Sequence, residues 1–225
     1  MAIFIDTCKL SSIERFHKMG VIRGVTTNPT LLMKDGLGGG FDGLRKRSME
    51  IAKCIRPYPL STEVTVNDKA GMIEQAKEIS GWADNIVVKI PIHGPNGELD
   101  NLEAIHELET KHGVRINVTA MMSAQQCLLA ALAGATYVSL FGGRVNNMGY
   151  NSVSEIRVLR KLLDDFKLTA KIIIGSTREV LNVVEWLSAG AHIVTALPSL
   201  IEGMAVHPYT KETVRMFLDD AAKNK

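Results

Sequence analysis

The chain has 225 residues, 46% of them hydrophobic and 22% charged, with a net charge of +2. That balance argues against a chain built for nucleic acid or an anionic membrane surface, either of which calls for a basic excess. Cys8, Cys54 and Cys127 are far apart, odd in number and in no CxxC pair. This argues against a disulfide framework or a thiolate zinc site, and for a reducing, cytoplasmic setting. Met1 to Asp6 reaches an acid at once, with no basic, apolar leader. The longest apolar run, Cys127 to Ala135, has nine residues, too few to cross a bilayer.

In chain order, strands are expected at Ile3–Asp6, Gly24–Asn28, Ser61–Thr65, Asn85–Ile90, Arg115–Thr119, Thr136–Phe141, Lys171–Ser176 and His192–Ala196. Most are continuous apolar runs rich in Val, Ile and Thr, as parallel strands buried on both faces are. The intervening segments carry helical periodicity. Asn67 to Ser80 opens on a cap at Asn67 or Asp68, and Ser154 to Phe166 spaces Ile156, Leu159, Leu162, Leu163 and Phe166 for one face. Ser123 to Ala133 and Thr177 to Ala189 each open on a capping residue and are followed by Gly134 or Gly190. A last helix, Thr210 to Ala222, follows Pro208.

Eight strands alternating with helices in one domain over residues 1–225 point to a single (β/α)8 TIM barrel with an extra C-terminal helix. The rival is an open, doubly wound sheet, but no G-x-G-x-x-G follows the first strand. Gly38-Gly39-Gly40 falls in a loop with no strand before it and no spaced lysine after it, so it makes no phosphate cradle.

Lys89, in Asn85-Ile86-Val87-Val88-Lys89-Ile90-Pro91, is out of place in its own strand. It lies near the C-terminal end, where barrels gather catalytic groups. Burial disfavours an ammonium, and a neutral amine attacks carbonyls. The plain alternative is a salt-bridged strand-end lysine. Asp6, Asn28, Glu63, Asn117, Thr119 and Ser176 also close apolar strands. Singly, each reads as a cap or loop anchor, but in a closed barrel all converge on one mouth around Lys89. Arg144 follows the sixth strand and Arg178 the seventh, where a helix N-terminus offers free N–H groups to an anion. Arg45-Lys46-Arg47 reads as a solvated helix face, and the six histidines lack metal-ligand spacing.

Gly24-Val25-Thr26-Thr27-Asn28-Pro29-Thr30 resembles the second-strand signature of the transaldolase family, and Asn85 to Pro91 resembles the strand carrying that family's Schiff-base lysine. The likeness runs through nearly the whole chain. Its length is similar to that of short transaldolases and fructose-6-phosphate aldolases. The resemblance implies a homo-oligomer, a pentamer or decamer whose last helix reaches a neighbour, and class I chemistry with no metal or organic cofactor. Lys89 would attack carbon 2 of a ketose. Glu63, through a water, would move protons as the imine forms and hydrolyses. Asp6 would take the carbon-4 hydroxyl proton. Thr27, Asn28, Asn117, Thr119 and Ser139 would hold the dihydroxyacetone unit or the water. Ser176, Arg178 and Arg144 would hold an anionic tail.

Glu63 and Phe141 resemble the transaldolases, where the aldolases carry Gln and Tyr, and so favour transfer over plain cleavage. The family's pattern after the sixth strand resembles Ser-Pro-Phe-Val-Gly-Arg, an aliphatic residue and two Asp. Here it reads Ser139-Leu140-Phe141-Gly142-Gly143-Arg144-Val145-Asn146-Asn147. The change is expected to free Arg144, open space at Gly142 and add neutral donors such as Asn146 beside the tail. Some transaldolases resembling this group cleave 6-deoxy-6-sulfofructose to 3-sulfolactaldehyde, so the donor is a sulfo-sugar or a sugar phosphate. A fructose-6-phosphate aldolase releasing free dihydroxyacetone and a catalytically silent sugar-phosphate-binding barrel are the alternatives.

Overall fold

In the computed structural model, which describes residues 1–36 and 39–223, the apolar runs become eight strands. These are β1 (Ala2–Asp6), β2 (Val25–Thr26), β3 (Leu60–Glu63), β4 (Ile86–Pro91), β5 (Ile116–Met121), β6 (Tyr137–Leu140), β7 (Lys171–Ile174) and β8 (Ile193–Ala196). Neighbours pair in parallel, and β1 pairs with both β2 and β8, which closes the barrel. The expected (β/α)8 TIM barrel is the fold, and the open-sheet alternative falls away.

Each strand is followed by helix. α1 (Leu10–Lys18) follows β1; α2 (Pro29–Lys34) and α3 (Gly40–Ile55) follow β2; α4 (Lys69–Ser80) follows β3. α5 (Asp100–Lys111) follows β4, α6 (Ala124–Leu132) follows β5, and α7 (Gly142–Asn147) and α8 (Ser152–Asp165) follow β6. α9 (Val180–Ser188) follows β7, and α10 (Pro198–Ala205) and α11 (Pro208–Lys223) follow β8. Asp68, Ser123 and Asn151 cap α4, α6 and α8 by accepting from backbone N–H groups three residues on. Gly134 and Gly190 take positive φ just past α6 and α9, as helix-ending glycines do. Gly40 belongs to α3 rather than to a loop, Gly39 caps it, and Gly38 lies outside the described residues.

Two sequence expectations need correction. β2 covers only Val25–Thr26, because Asn28 leaves the ladder to cap α2: its Oδ1 accepts from Leu31 N–H at 3.0 Å and Pro29 opens the helix. The helix after β7 begins at Val180 and not at Thr177. Thr177 donates instead to the Thr195 carbonyl at 2.7 Å, and Glu179 with Asn182 forms a capping box.

The barrel interior has two tiers. Phe4, Ile173 and Ile193 form a small apolar cluster with Ala2 and Tyr137, separate from the large core between strands and helices. It plugs the N-terminal end, where Phe4 and Tyr137 meet edge to face at 6.5 Å. The C-terminal end is polar. In β4 every residue from Ile86 to Ile90, Lys89 included, is buried, since one face looks into the barrel and the other onto helices. α11 buries no side chain, and Val214, Met216, Phe217 and Leu218 are all exposed on it. Among the described residues no helix is long and apolar enough to cross a membrane.

Candidate active site

Parallel register brings the polar tier to one level. Glu63 on β3 pairs with Lys89 on β4, which pairs with Asn117 on β5, so all three side chains point the same way into the barrel. Lys89 is 6% exposed. Its Nζ meets Glu63 Oε2 at 3.0 Å and donates to the Thr27 carbonyl at 2.9 Å. Every other ion pair among the described residues is more open to solvent than this one. The lysine is therefore both salt-bridged and buried, with the open cavity above it.

Across the barrel Asp6 pairs in register with Thr26, whose hydroxyl donates to Asp6 Oδ1 at 2.7 Å and lies 2.6 Å from the Thr195 hydroxyl. Burial pushes the Asp6 carboxyl above its ordinary range. The Lys89 charge and the Thr26 hydrogen bond pull the other way, and Glu63 adds to the rise. A second chain fixes Asn117, whose Nδ2 donates to Ser61 Oγ at 3.0 Å while its Oδ1 accepts from Ser139 Oγ at 2.7 Å. Thr119 presents a buried hydroxyl with no protein partner, a group that polar satisfaction leaves for a water or a ligand.

A cavity of about 550 Å³ gathers Asp6, Asn28, Glu63, Lys89, Asn117, Thr119, Ser139, Phe141, Arg144, Ser176 and Arg178. Eleven of the thirteen site residues read from the sequence thus share one space. Asn28 spends its Oδ1 on the α2 cap and has only its amide nitrogen left to offer. Two residues are not brought in. Thr27 reaches the site only through its carbonyl, because its hydroxyl donates to the Ser61 carbonyl. Asn146 lies outside the cavity, and its Oδ1 accepts from Ser152 N–H at 3.0 Å, bracing the start of α8. It is a loop anchor rather than a tail donor in this geometry, and Asn147 likewise does not line the cavity.

The anionic end also differs from expectation. The Arg178 and Glu179 N–H groups just before α9 are not on offer, since both donate to Asn182 Oδ1, at 3.3 and 3.0 Å. The Arg178 side chain lines the cavity at that end. Arg144 has no carboxylate partner among the described residues and lies over the Phe141 ring at 5.5 Å. Gly142 opens no space beside the tail. A Cβ there would sit 2.8 Å from both Ile174 Cγ2 and Trp186 Cζ2, so the core has filled that volume. Gly143 is tighter, with a Cβ falling 1.8 Å from the Ser176 carbonyl oxygen. Ser176 itself sits at φ 60°, and Ala120 at φ 60° where the β5–β6 register shifts. Left-handed non-glycine residues at two strand ends are the kind of strain functional sites hold.

Thr26, Thr195 and Lys34 line the cavity and were not among the residues the sequence singled out. The threonines read as ordinary strand formers, and Lys34 as the basic end of a helix; only barrel closure places them together. A second cavity, about 310 Å³ and mostly apolar, lies behind Asn28 and Glu63 against Leu32, Met33, Phe41 and Leu44. Among the described residues no cluster of three or more His, Cys, Asp or Glu is arranged to hold a metal ion.

Solved structures with this architecture include the thiamine phosphate pyrophosphorylase of Pyrococcus furiosus, with a TM-score of 0.62, 11% identity and coverage of 87% of this chain and 85% of that one. A putative dihydrodipicolinate synthase family protein from Coccidioides immitis gives 0.63 at 13% identity, covering 87% and 66%. At such identities they speak for the barrel alone. Sequence relatives say more. "Probable transaldolase 2" of Listeria monocytogenes is 38% identical over 98% of this chain and 95% of its own length. "Probable transaldolase" of Carboxydothermus hydrogenoformans is 38% identical over 98% and 97%, and that of Nitrosopumilus maritimus 36% over 100% and 96%. The family described as transaldolase/fructose-6-phosphate aldolase matches residues 3–225, and the chain is an enzyme that belongs to it.

Proposed function

We propose that the protein is a Schiff-base transaldolase that moves a dihydroxyacetone unit from a ketose with an anionic carbon-6 substituent to an aldehyde acceptor. The observation that carries this reading is the Lys89 amine, buried at the floor of an open cavity, touching Glu63 and sharing that cavity with Asp6.

Lys89 Nζ attacks the carbon-2 carbonyl, and the carbinolamine loses water to give an iminium. Glu63 moves protons to and from that water, which Thr119 helps to hold. Asp6 takes the carbon-4 hydroxyl proton; the bond between carbons 3 and 4 breaks, and its electron pair enters the iminium as an enamine. The aldehyde bearing the anion leaves. The enamine then attacks the acceptor carbonyl, Asp6 returns its proton to the new alkoxide, and hydrolysis frees the product and Lys89. Asn117, fixed from both sides, and Ser139 and Asn28 hold the dihydroxyacetone hydroxyls. Ser176, Arg178 and Arg144, with Lys34 on the rim, read the tail.

Phe141 supports transfer over plain cleavage, because a phenyl ring has no proton to give when water competes for the enamine. No organic cofactor takes part in this scheme. The tail is a phosphate, as in fructose 6-phosphate, or a sulfonate, as in 6-deoxy-6-sulfofructose; three cationic side chains suit either anion. The exposed apolar side of α11 supports assembly into a ring-like homo-oligomer through that helix. Three free thiols fit a cytoplasmic setting.

The test is borohydride trapping with each donor in parallel, read by intact mass and peptide mapping. A reduced adduct on Lys89, absent from Lys89→Met, is expected, and the donor that traps faster identifies the tail. No adduct with either donor would overturn the proposal and leave a silent sugar-phosphate-binding barrel.

A further inference from the structure

Asp6 does not stand alone at the mouth of the barrel. Its Oδ1 accepts from Thr26 Oγ1 at 2.7 Å, and Thr26 Oγ1 is 2.6 Å from Thr195 Oγ1. Both threonines are nearly buried and both line the cavity. β1 places Asp6 between its two neighbours, β2 carrying Thr26 and β8 carrying Thr195. Neither neighbour offers it a charge. The titratable groups facing it come from across the barrel, Lys89 on β4 and Glu63 on β3, with Arg144, Arg178 and Lys34 at the rim.

A hydroxyl has one proton and two lone pairs, so this chain has a direction. When Asp6 is a carboxylate, Thr26 must donate to it, and Thr195 must then donate to Thr26. The oxygen that Thr195 shows the cavity is an acceptor. When Asp6 carries a proton it can donate to Thr26, Thr26 to Thr195, and the Thr195 proton is turned towards the cavity. No heavy atom need move, and no proton is gained or lost by the pair of hydroxyls.

We propose that Thr195 is a positioning residue for the proton-transfer step: acting through Thr26, it keeps Asp6 hydrogen-bonded in both its charged and its protonated form, and the bond to the carboxylate is the stronger of the two. Asp6 then holds the proton taken from the cleaved hydroxyl until the acceptor aldehyde claims it, and Thr195 presents a donor to the cavity only in that interval. The step rests on the reading of Asp6 as the base in the proposed function.

The test pairs Thr195→Val, which keeps the β-branched shape and removes the hydroxyl, with Thr195→Ser, which restores it. The first readout is direct titration of the Asp6 carboxyl by carbon-13 NMR in the substrate-free protein, which needs no turnover. Thr195→Val is expected to move the Asp6 titration to higher pH, because the carboxylate loses a supported donor, and Thr195→Ser to bring it back. The second is turnover. Thr195→Val is expected to leave borohydride trapping at Lys89 intact while slowing carbon–carbon cleavage by about tenfold, with the acid limb of the pH profile moved the same way. An Asp6 titration unchanged in Thr195→Val overturns the proposal, whatever the turnover. A shifted titration with no Lys89 adduct in the wild type leaves the coupling standing and removes the transaldolase reading instead. If Thr195→Val fails to fold, Thr195→Ala, which also removes the hydroxyl, is titrated in its place: an Asp6 titration moved to higher pH upholds the coupling, and one unchanged overturns it.

Discussion

Glu63 and Lys89 are register partners on adjacent strands, and their charged atoms meet at 3.0 Å at the floor of the cavity. The pair shares a buried position with a second acceptor, the Thr27 carbonyl, at 2.9 Å. Removing one member of a buried pair leaves a charge without its partner and costs about 3–5 kcal/mol where solvent cannot enter. Here the cavity lets water in, so the low end applies.

Glu63→Gln keeps an acceptor near Lys89 and removes the proton shuttle. The expected outcome is a folded protein with a lowered Tm and a turnover slower by about 10²–10⁴-fold. Because hydrolysis of the imine needs the same proton movements as its formation, the variant should show a slow approach to the Lys89 adduct and a slow decay from it. Single-turnover trapping against time reads both. A variant that cleaves donor at the wild-type rate would remove Glu63 from the scheme.

Asp6 makes the opposite trade. Its folded carboxyl holds a proton to higher pH than the unfolded one, chiefly because it is buried. The native state therefore binds more protons between the two values, and stability falls as pH rises from the ordinary aspartate value, about 3.9, through the folded one. Above that window the cost is fully present. Asp6→Asn still accepts from Thr26 and carries no charge, so it should melt higher than wild type at neutral pH and equal it in acid. The same change should abolish carbon–carbon cleavage while sparing Schiff-base formation. Thermal melts across pH, alongside borohydride trapping, check both halves.

Much of this was legible in the sequence because burial leaves a signature. A lysine inside Ile86-Val87-Val88-Lys89-Ile90 must be paired or neutralised once buried, and polar residues closing five other apolar strands can meet only if the sheet closes. What was not legible depends on which neighbour a residue finds. Thr26 and Thr195 look like any strand threonines until β1 is placed between β2 and β8. The start of α9 was misplaced because Thr177, a good cap by type, is used by the Thr195 carbonyl. Asn146 has the chemistry of a sulfonate donor, but Ser152 N–H holds its oxygen, and nothing local in the sequence announces that bond.

The far end of the barrel carries its own pH sensitivity. His192 Nδ1 accepts from Ile172 N–H at 3.0 Å, and its Nε2 lies 2.9 Å from Arg160 Nη1. Burial, with the Arg160 and Lys171 charges behind it, lowers the imidazole pKa to about 4. A group depressed on folding lends stability that is whole above its unfolded value, about 6.5, and is lost as pH falls through the folded one. The ring is only partly buried, so the loss is about 1–2 kcal/mol rather than the full linkage value. Denaturant melts between those pH values should show it, and His192→Gln should flatten it without changing activity at neutral pH. A wild-type stability that is level across this interval would contradict the assignment.

Two adjacent glycines should give opposite readouts. A side chain at Gly142 meets Ile174 and Trp186, both in the core, and not the cavity. Gly142→Val should therefore destabilise the fold by about 1–3 kcal/mol through overpacking and leave the KM for the donor alone. Paired with Trp186→Leu, which vacates the same volume, the cost should be less than the sum of the two, a coupling of about 0.5–3 kcal/mol. Gly143 instead approaches the Ser176 backbone, and a methyl there meets the Ser176 carbonyl first and then the Arg178 side chain. Gly143→Ala should displace the two residues that face the tail and raise the donor KM tenfold or more, on the order of 1.4 kcal/mol of binding, with trapping by a tail-less ketose such as dihydroxyacetone little changed. If Gly142→Val were the variant that changed donor KM, the loop would be reading the tail through Gly142 after all, and the core packing by Trp186 would not be the reason for a glycine there.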